Sequence, residues 1–250
     1  MEKLTLLEIA QDVLASMGND SVSDVGESDD VEDVVKLIRL EYDKLMSEAD
    51  WKHLQTSTNL AGVGDATKPT LMKVPTDVAE VTDIRYNKIE SGETAPKWRQ
   101  VDLYEPSEFM TLILERSTDN SNVSSYTTDD GTQILYYNDR APSFCTSFDD
   151  EYIVFDAIDT AVDTTLQSSK SIAEVIKTIS WTNSNSFVPD MPARMFPTLV
   201  SRCRVIANEL IEQRTIKVDA LDAKSGRNRL RRKTAVANKV TKINYGRVTR

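Results

Sequence analysis

The residues of this chain that could do chemistry are few, and their spacing argues against most reactions. His53 is the only histidine. A Ser–His–Asp or Cys–His arrangement therefore has one possible base, and no nucleophile motif surrounds it. His53 follows Trp51 by two residues, where a helical pattern ends, so a capping or domain-boundary role is expected. Cys145 and Cys203 are the only cysteines and lie far apart in sequence; with one histidine they make zinc binding an unlikely role. No G-x-x-x-x-G-K-[ST] or G-x-G-x-x-G string occurs, and eight glycines in 250 residues is sparse for a phosphate-binding fold. The richest cluster is acidic: Asp149, Asp150 and Glu151, with Asp156 and Asp159 nearby. Carboxylates at short spacing can hold Mg²⁺ or Ca²⁺. The Asp-x-Asp-x-Asp-Gly loop is missing, however, and acids before a strand usually form a solvated turn or a subunit contact. Tyr136, Tyr137, Tyr152 and Phe155 could stack on bases, yet they fit a strand core better. Neither a cofactor, a metal nor an enzymatic activity is expected.

The distribution of charge says more. Of 30 Lys and Arg and 40 Asp and Glu, residues 224–250 contain ten bases and no acid. Residues 1–223 therefore hold twenty bases against all forty acids, a formal −20. An acidic body with a basic arm is suited to an anionic partner, either nucleic acid or an acidic protein. As a nucleic-acid arm, Arg227, Arg229, Arg231, Arg232 and Lys233 would neutralise phosphates, and binding would fall steeply with salt. As a protein-binding arm, the same residues would pair with a partner's acids, and Leu230, Val236, Val240, Ile243 and Tyr245 would be apolar anchors. The apolar interleaving favours a protein, and a body at −20 repels DNA. A nucleic-acid-binding accessory role is the alternative, and a merely solubilising tail is the bland one.

These residues must be positioned by elements that the pattern makes legible. Forty per cent hydrophobic and 28 per cent charged residues fit an ordinary globular protein. No apolar run approaches the ~18 residues of a membrane span. The opening MEKLTLLEIAQDVLASMGND reads as an amphipathic helix rather than a signal peptide, and the cysteine usage suggests a reducing, cytosolic origin. A first helix is expected over about Leu4–Ala15, ended by Gly18 and Asn19. A second runs from about Asp29 to Asp50, with Asp29 as its cap and Glu32 in capping-box position. Val31, Val34, Val35, Ile38, Tyr42, Leu45, Met46 and Ala49 form its stripe. From Thr56 the pattern turns to strands: within 71–87, at the Asp130-Gly131 hairpin joining Tyr126 to Ile134–Tyr137, and over Tyr152–Phe155. A short helix lies within 105–116. A last helix carries Leu199, Val200, Cys203, Ile206, Ala207, Leu210 and Ile211 to about Gln213, fraying towards Ala223. The expected fold is α+β: a helical bundle of two N-terminal helices plus a long C-terminal helix, with an inserted β-rich sandwich or barrel-like domain and an extended C-terminal arm. The expected boundaries are 1–55 for the N-terminal helical part, 56–185 for the β-rich domain, 186–223 for the helix packing back, and 224–250 for the arm.

Specific strings resemble a known family. TSFDDEYIVFDAIDTAVDTTLQSSKS (146–171), FVPDMPARMFPTLVSRCRVIANEL (187–210), INYGR (243–247) and LMKVPTD…VTDIRYN (71–87) are similar to the head-to-tail adaptor (neck, or tail tubular protein A-like) proteins of short-tailed bacteriophages. So is the opening TLLEIAQDVLASM with its following long helix ending in Trp51. The resemblance implies a non-enzymatic virion protein in a homo-oligomeric ring, commonly of twelve copies, located in the neck and assembled in the host cytoplasm. Such a ring joins the portal protein above to the tail tube or nozzle below, and genomic DNA passes through during ejection without specific binding. Carried onto this chain, the arm from Lys224 to Arg250 would bind the portal. Asn244, Tyr245, Gly246 and Arg247 would form its best-defined end, and many arms acting together would give avidity.

Overall fold

Thr5 and Glu8 set where the first helix begins. The computed structural model describes residues 2–89, 95–210 and 224, and in it α1 spans Leu6–Met17. The Thr5 hydroxyl accepts the Glu8 N–H at 3.2 Å, and the Glu8 carboxylate accepts the Thr5 N–H at 2.7 Å. This reciprocal capping box moves the start from the expected Leu4. At the other end Gly18 sits at φ 85°, with Gly18 N–H on the Ala15 carbonyl and Asn19 N–H on that of Leu14. Those two bonds make a Schellman motif, which needs a residue tolerant of left-handed backbone.

Removing this cap should weaken α1. Thr5→Ala is expected to cost about 1 kcal/mol, measured by urea unfolding. The backbone and side-chain hydrogen bonds of Thr5 hold the Glu8 carboxyl below its ordinary value of 4.5. A depressed folded pKa means that this contribution is present above the unfolded value and lost as pH falls through the folded one. The acid limb of a stability–pH curve should therefore be shallower in Thr5→Ala than in the native chain.

The second helix, α2, spans Asp29–Met46. Ser28, not Asp29, is its N-cap residue, and the Ser28 side chain makes no capping bond. Asp29 lies inside the first turn, where with Asp30 and Glu32 it complements the helix dipole. The helix stops four residues before the expected Asp50. The Trp51 indole N–H donates to the Leu45 carbonyl at 3.0 Å and satisfies one of the last free acceptors.

The chain divides into two compact units, one built from the ends of the chain (up to His53 and from Ile179 on), the other from Leu54–Thr178. In the first, the helix Phe196–Leu210 packs on both α1 and α2 through Leu199, Val200, Cys203 and Ala207. Arg202 reaches Glu41 at 3.0 Å and Glu48 at 2.9 Å, and Arg204 reaches Asp12.

The second unit contains ten strands and one α-helix among its described residues. They are β1 Gln55–Thr58, β2 Ala61–Gly62, β3 Leu71–Lys73, β4 Val78–Asn87, β5 Trp98–Leu103, α3 Pro106–Leu114, β6 Val123–Thr127, β7 Gln133–Tyr137, β8 Phe144–Ser147, β9 Tyr152–Phe155 and β10 Ser171–Lys177. The Phe196–Leu210 helix of the first unit is then α4. Eight strands join in the order β1-β10-β4-β5-β8-β9-β3-β2, antiparallel throughout except for β5 and β8. The edges of that sheet, β1 and β2, are joined by only Asn59 and Leu60. Such a link spans at most about 11 Å, whereas eight flat strands would set the edges roughly 33 Å apart. The sheet must therefore curl until its edges nearly meet. Register shifts between β10 and β4, at Glu174/Val175 and Ile176/Lys177, supply local bending. Inside the curl lie Leu60, Met72, Ile84, Cys145, Phe155 and Val175. Gly62 suits this close approach, because a Cβ would stand 3.1 Å from the Leu166 carbonyl oxygen.

This architecture corrects the expected fold. A helical bundle bearing an inserted domain does not describe the molecule. It is a mixed α+β protein with four α-helices among the described residues, and its largest element is the curled eight-stranded sheet. The local helix signals overstated the helical part. The sheet is assembled from short strands of two to ten residues paired across long stretches of chain, and few of them are strongly periodic on their own.

The hairpin β6–β7 lies apart from the large sheet, with Tyr126 opposite Ile134. Gly131 turns it at φ 87°. Its inner face joins Phe109 and Ile113 of α3, together with Val154, in a second small core.

Candidate functional site

Three carboxylates of the acidic cluster, those of Asp149, Asp156 and Asp159, accept structural hydrogen bonds. Asp149 Oδ1 accepts the backbone N–H groups of Glu151 at 3.0 Å and Tyr152 at 2.8 Å, which closes the β8–β9 turn. Asp150 lies in that turn at φ 60°, the only described non-glycine residue at positive φ. Its N–H donates to Ser147 Oγ at 3.0 Å, and that hydroxyl donates to the Tyr152 carbonyl at 2.7 Å. Asp159 Oδ1 accepts the Ala161 N–H at 3.1 Å. Among the described residues no three His, Cys, Asp or Glu side chains converge as metal ligands.

Asp156 behaves differently, because it is 2% exposed. Its Oδ1 accepts the N–H groups of Ser143 at 2.8 Å and Phe144 at 3.1 Å, and its Oδ2 accepts from Arg116 at 3.1 Å. Arg116 also donates to the carbonyls of Asp156 and Leu135, at 2.7 and 3.0 Å. Burial pushes the Asp156 carboxyl up and the Arg116 guanidinium down, against the hydrogen bonds and the attraction between them. The Tyr137 ring lies within 4.2 Å of the Arg116 guanidinium and 4.0 Å of that of Arg140. This cation–π and ion-pair network is internal scaffolding. The sequence carries no local sign of it, since Arg116 stands 40 positions before Asp156.

The other candidates are equally occupied. His53 Nε2 lies 3.1 Å from the Asp190 carbonyl oxygen, and burial lowers its pKa. Cys145 and Cys203 are buried, and burial pushes both thiols up, which suppresses the reactive thiolate. Phe155 is fully buried in the core, and Tyr136 packs against it partly exposed. The arm residues Arg227, Arg229, Leu230, Arg231, Arg232, Lys233, Val240, Ile243, Asn244, Tyr245, Gly246 and Arg247 lie outside the described residues. Of the arm, only Lys224 is described, as helical and exposed.

The feature with the shape of a binding site is a groove of 640 Å³ in the second unit. It is bounded by the β3–β4 connection, the end of β5, the start of α3 and the β8–β9 turn. Val74, Val81, Leu103 and Ile153 give it an apolar floor, and Glu80, Glu105, Glu108 and Asp150 line it with exposed acids. No Lys or Arg is among its described lining residues. Local structure explains two of the acids. Pro106 at the first turn of α3 makes Glu105 the N-cap and places Glu108 in that turn, where a helix start favours negative charge. On the other side of the β8–β9 turn a second depression, of 390 Å³, is lined by Phe148, Asp149, Asp129 and Asp65. Sequence reasoning found Asp149 and Asp150 but missed this setting, because the groove draws on four separated segments.

The turn that borders both depressions is strained at one residue. Asp150→Gly, which relieves that strain, should be neutral to stabilising, whereas Asp150→Val should be destabilising, because a branched side chain tolerates left-handed backbone less well than Asp. Paired thermal melts would measure the difference, and equal losses in both variants would contradict it.

No protein-family model matches the chain, and no curated protein matches it. Among the described residues no helix is long and apolar enough to cross a membrane.

Proposed function

We propose that this chain is a non-enzymatic structural subunit of a virion neck: a head-to-tail adaptor that forms a ring between the portal and the tail of a short-tailed phage. The observation that carries this reading is the division of charge, an acidic body of −20 followed by an arm of ten bases and no acids with apolar residues at intervals. The strings that resemble neck proteins give the division its place in a virion. The arm from Lys224 to Arg250 engages the portal: Arg227, Arg229, Arg231, Arg232 and Lys233 pair with its acids, and Leu230, Val240, Ile243 and Tyr245 anchor in apolar pockets. Negative walls let DNA pass towards the tail tube or nozzle without holding it. The structural hydrogen bonds of Asp149, Asp156, Asp159 and His53 are in keeping with a structural role.

The arm's basic cluster also suits nucleic acid, so a nucleic-acid-binding accessory role is the second reading. Deleting residues 224–250 separates the two. Under the adaptor reading the truncated protein folds and fails to dock on purified portal. The accessory reading requires instead that the full chain bind duplex DNA with a steep salt dependence that the deletion abolishes. Normal docking by the truncated chain would overturn the portal assignment.

A further inference from the structure

The acidic groove and the basic arm belong to one chain, and their chemistries are complementary. Four exposed carboxylates, Glu80, Glu105, Glu108 and Asp150, line a cavity with no cation among its described lining residues and an apolar floor that includes Leu103, 44% exposed. Like charges so placed repel one another, and an apolar surface beside them is left in water; a basic segment with an apolar residue in its middle relieves both. Residues 227–233 have that composition: five bases around Leu230. We infer that this groove seats residues 227–233 of a second copy of the chain, so that each subunit clasps its neighbour.

The inference rests on reading the arm as a protein-binding element. It moves residues 227–233 from the portal contact proposed above to the neighbouring copy and leaves the distal arm for the portal. Residues 234–250 span up to about 55 Å when extended, and they contain Val240, Ile243 and Tyr245. The pairs lie at an exposed rim, so each is weak and screened by salt. Leu230 on the apolar floor supplies the part of the contact that salt does not weaken. Closure of a ring would then multiply the weak contacts.

A charge swap in the full-length chain tests the clasp. One variant carries Glu80→Lys, Glu105→Lys and Glu108→Lys; the other carries Arg229→Glu, Arg231→Glu and Arg232→Glu. Sedimentation velocity should show wild-type self-association that weakens about tenfold or more in either variant alone, since attraction becomes repulsion at several pairs. Mixing the two variants should restore association, as expected when only the pair is at fault. Wild type that stays monomeric, or a mixture that stays dissociated, overturns the inference. If circular dichroism finds the groove variant unfolded, a second test replaces it. Leu103→Cys and Leu230→Cys chains are mixed under mild oxidation, with the buried native cysteines as silent background. A disulfide-linked pair of copies supports the clasp, and its absence overturns it. Groove reversal that spares self-association but abolishes portal docking would assign the groove to the portal, which overturns the clasp and leaves the adaptor reading standing. Intact self-association through the groove in a full-length chain that does not dock on purified portal would overturn the adaptor reading and leave the clasp.

Discussion

Asp156→Ala is expected to destabilise the Leu54–Thr178 unit by about 3–5 kcal/mol, the cost of removing one partner from a buried ion pair. The side chains of Arg116 and Asp156 are 5% and 3% exposed. Without the carboxylate, Arg116 keeps its bonds to the Leu135 and Asp156 carbonyls but loses its counter-charge. The N–H groups of Ser143 and Phe144 lose their acceptor as well. A domain is stable by only ~5–15 kcal/mol, so this loss would bring the unit close to its unfolding point. Asp156→Asn should fall between, because an amide oxygen still accepts the two backbone bonds while the charge is gone. The double variant Arg116→Met/Asp156→Leu should recover much of the loss, since apolar replacement of a buried pair is often neutral or better. Urea unfolding of the series measures this directly. An Asp156→Ala protein within about 0.5 kcal/mol of wild type would place it with ordinary surface changes and contradict the scaffolding role.

Arg202→Ala is expected to cost the helical unit a comparable amount, about 3 kcal/mol or more. Arg202 is the shared cation of Glu41, 2% exposed, and Glu48, 11% exposed, bonded at 3.0 and 2.9 Å. Lys44 reaches Glu41 at 2.8 Å but is itself half exposed, so it compensates only in part. Arg202→Lys keeps the charge and loses the fork that reaches two carboxylates at once, so it should recover less than half of the difference. The two units should respond separately. Arg202→Ala lowers the transition reported by helical circular dichroism, and Asp156→Ala lowers the transition reported by strand signal.

Local codes made part of this molecule legible. Gly18 and Asn19 mark the end of α1, the stripe from Val31 to Met46 marks α2, and Asp130-Gly131 marks the β6–β7 hairpin, because each signal lies within one turn or one helix face. The Thr5–Glu8 capping box is also written in sequence, as Thr-x-x-Glu before an apolar run, and could have fixed the start of α1. The curl of the sheet was not legible. It follows from which strands are its edges, and β1 and β2 reach those places through pairings with β10 and β3 over 115 and 10 residues or more. Weighting the periodic helices over these short strands produced the helical-bundle expectation that the structure corrects. The acidic cluster was found by proximity in sequence, yet its members do different work: Asp149 closes a turn, Asp156 holds Arg116, and Asp150 lines a groove whose other walls come from Val74–Val81 and Leu103–Glu108. The charge contrast between residues 1–223 and the arm needed no structure at all.

Electron microscopy of purified neck complexes would show whether copies of this chain form the proposed closed ring between portal and tail. The adaptor reading predicts a closed ring of this chain, about twelve copies by its resemblance to neck proteins, stacked on the portal around an open channel. A chain found as isolated copies, or coating nucleic acid away from the portal, would contradict it.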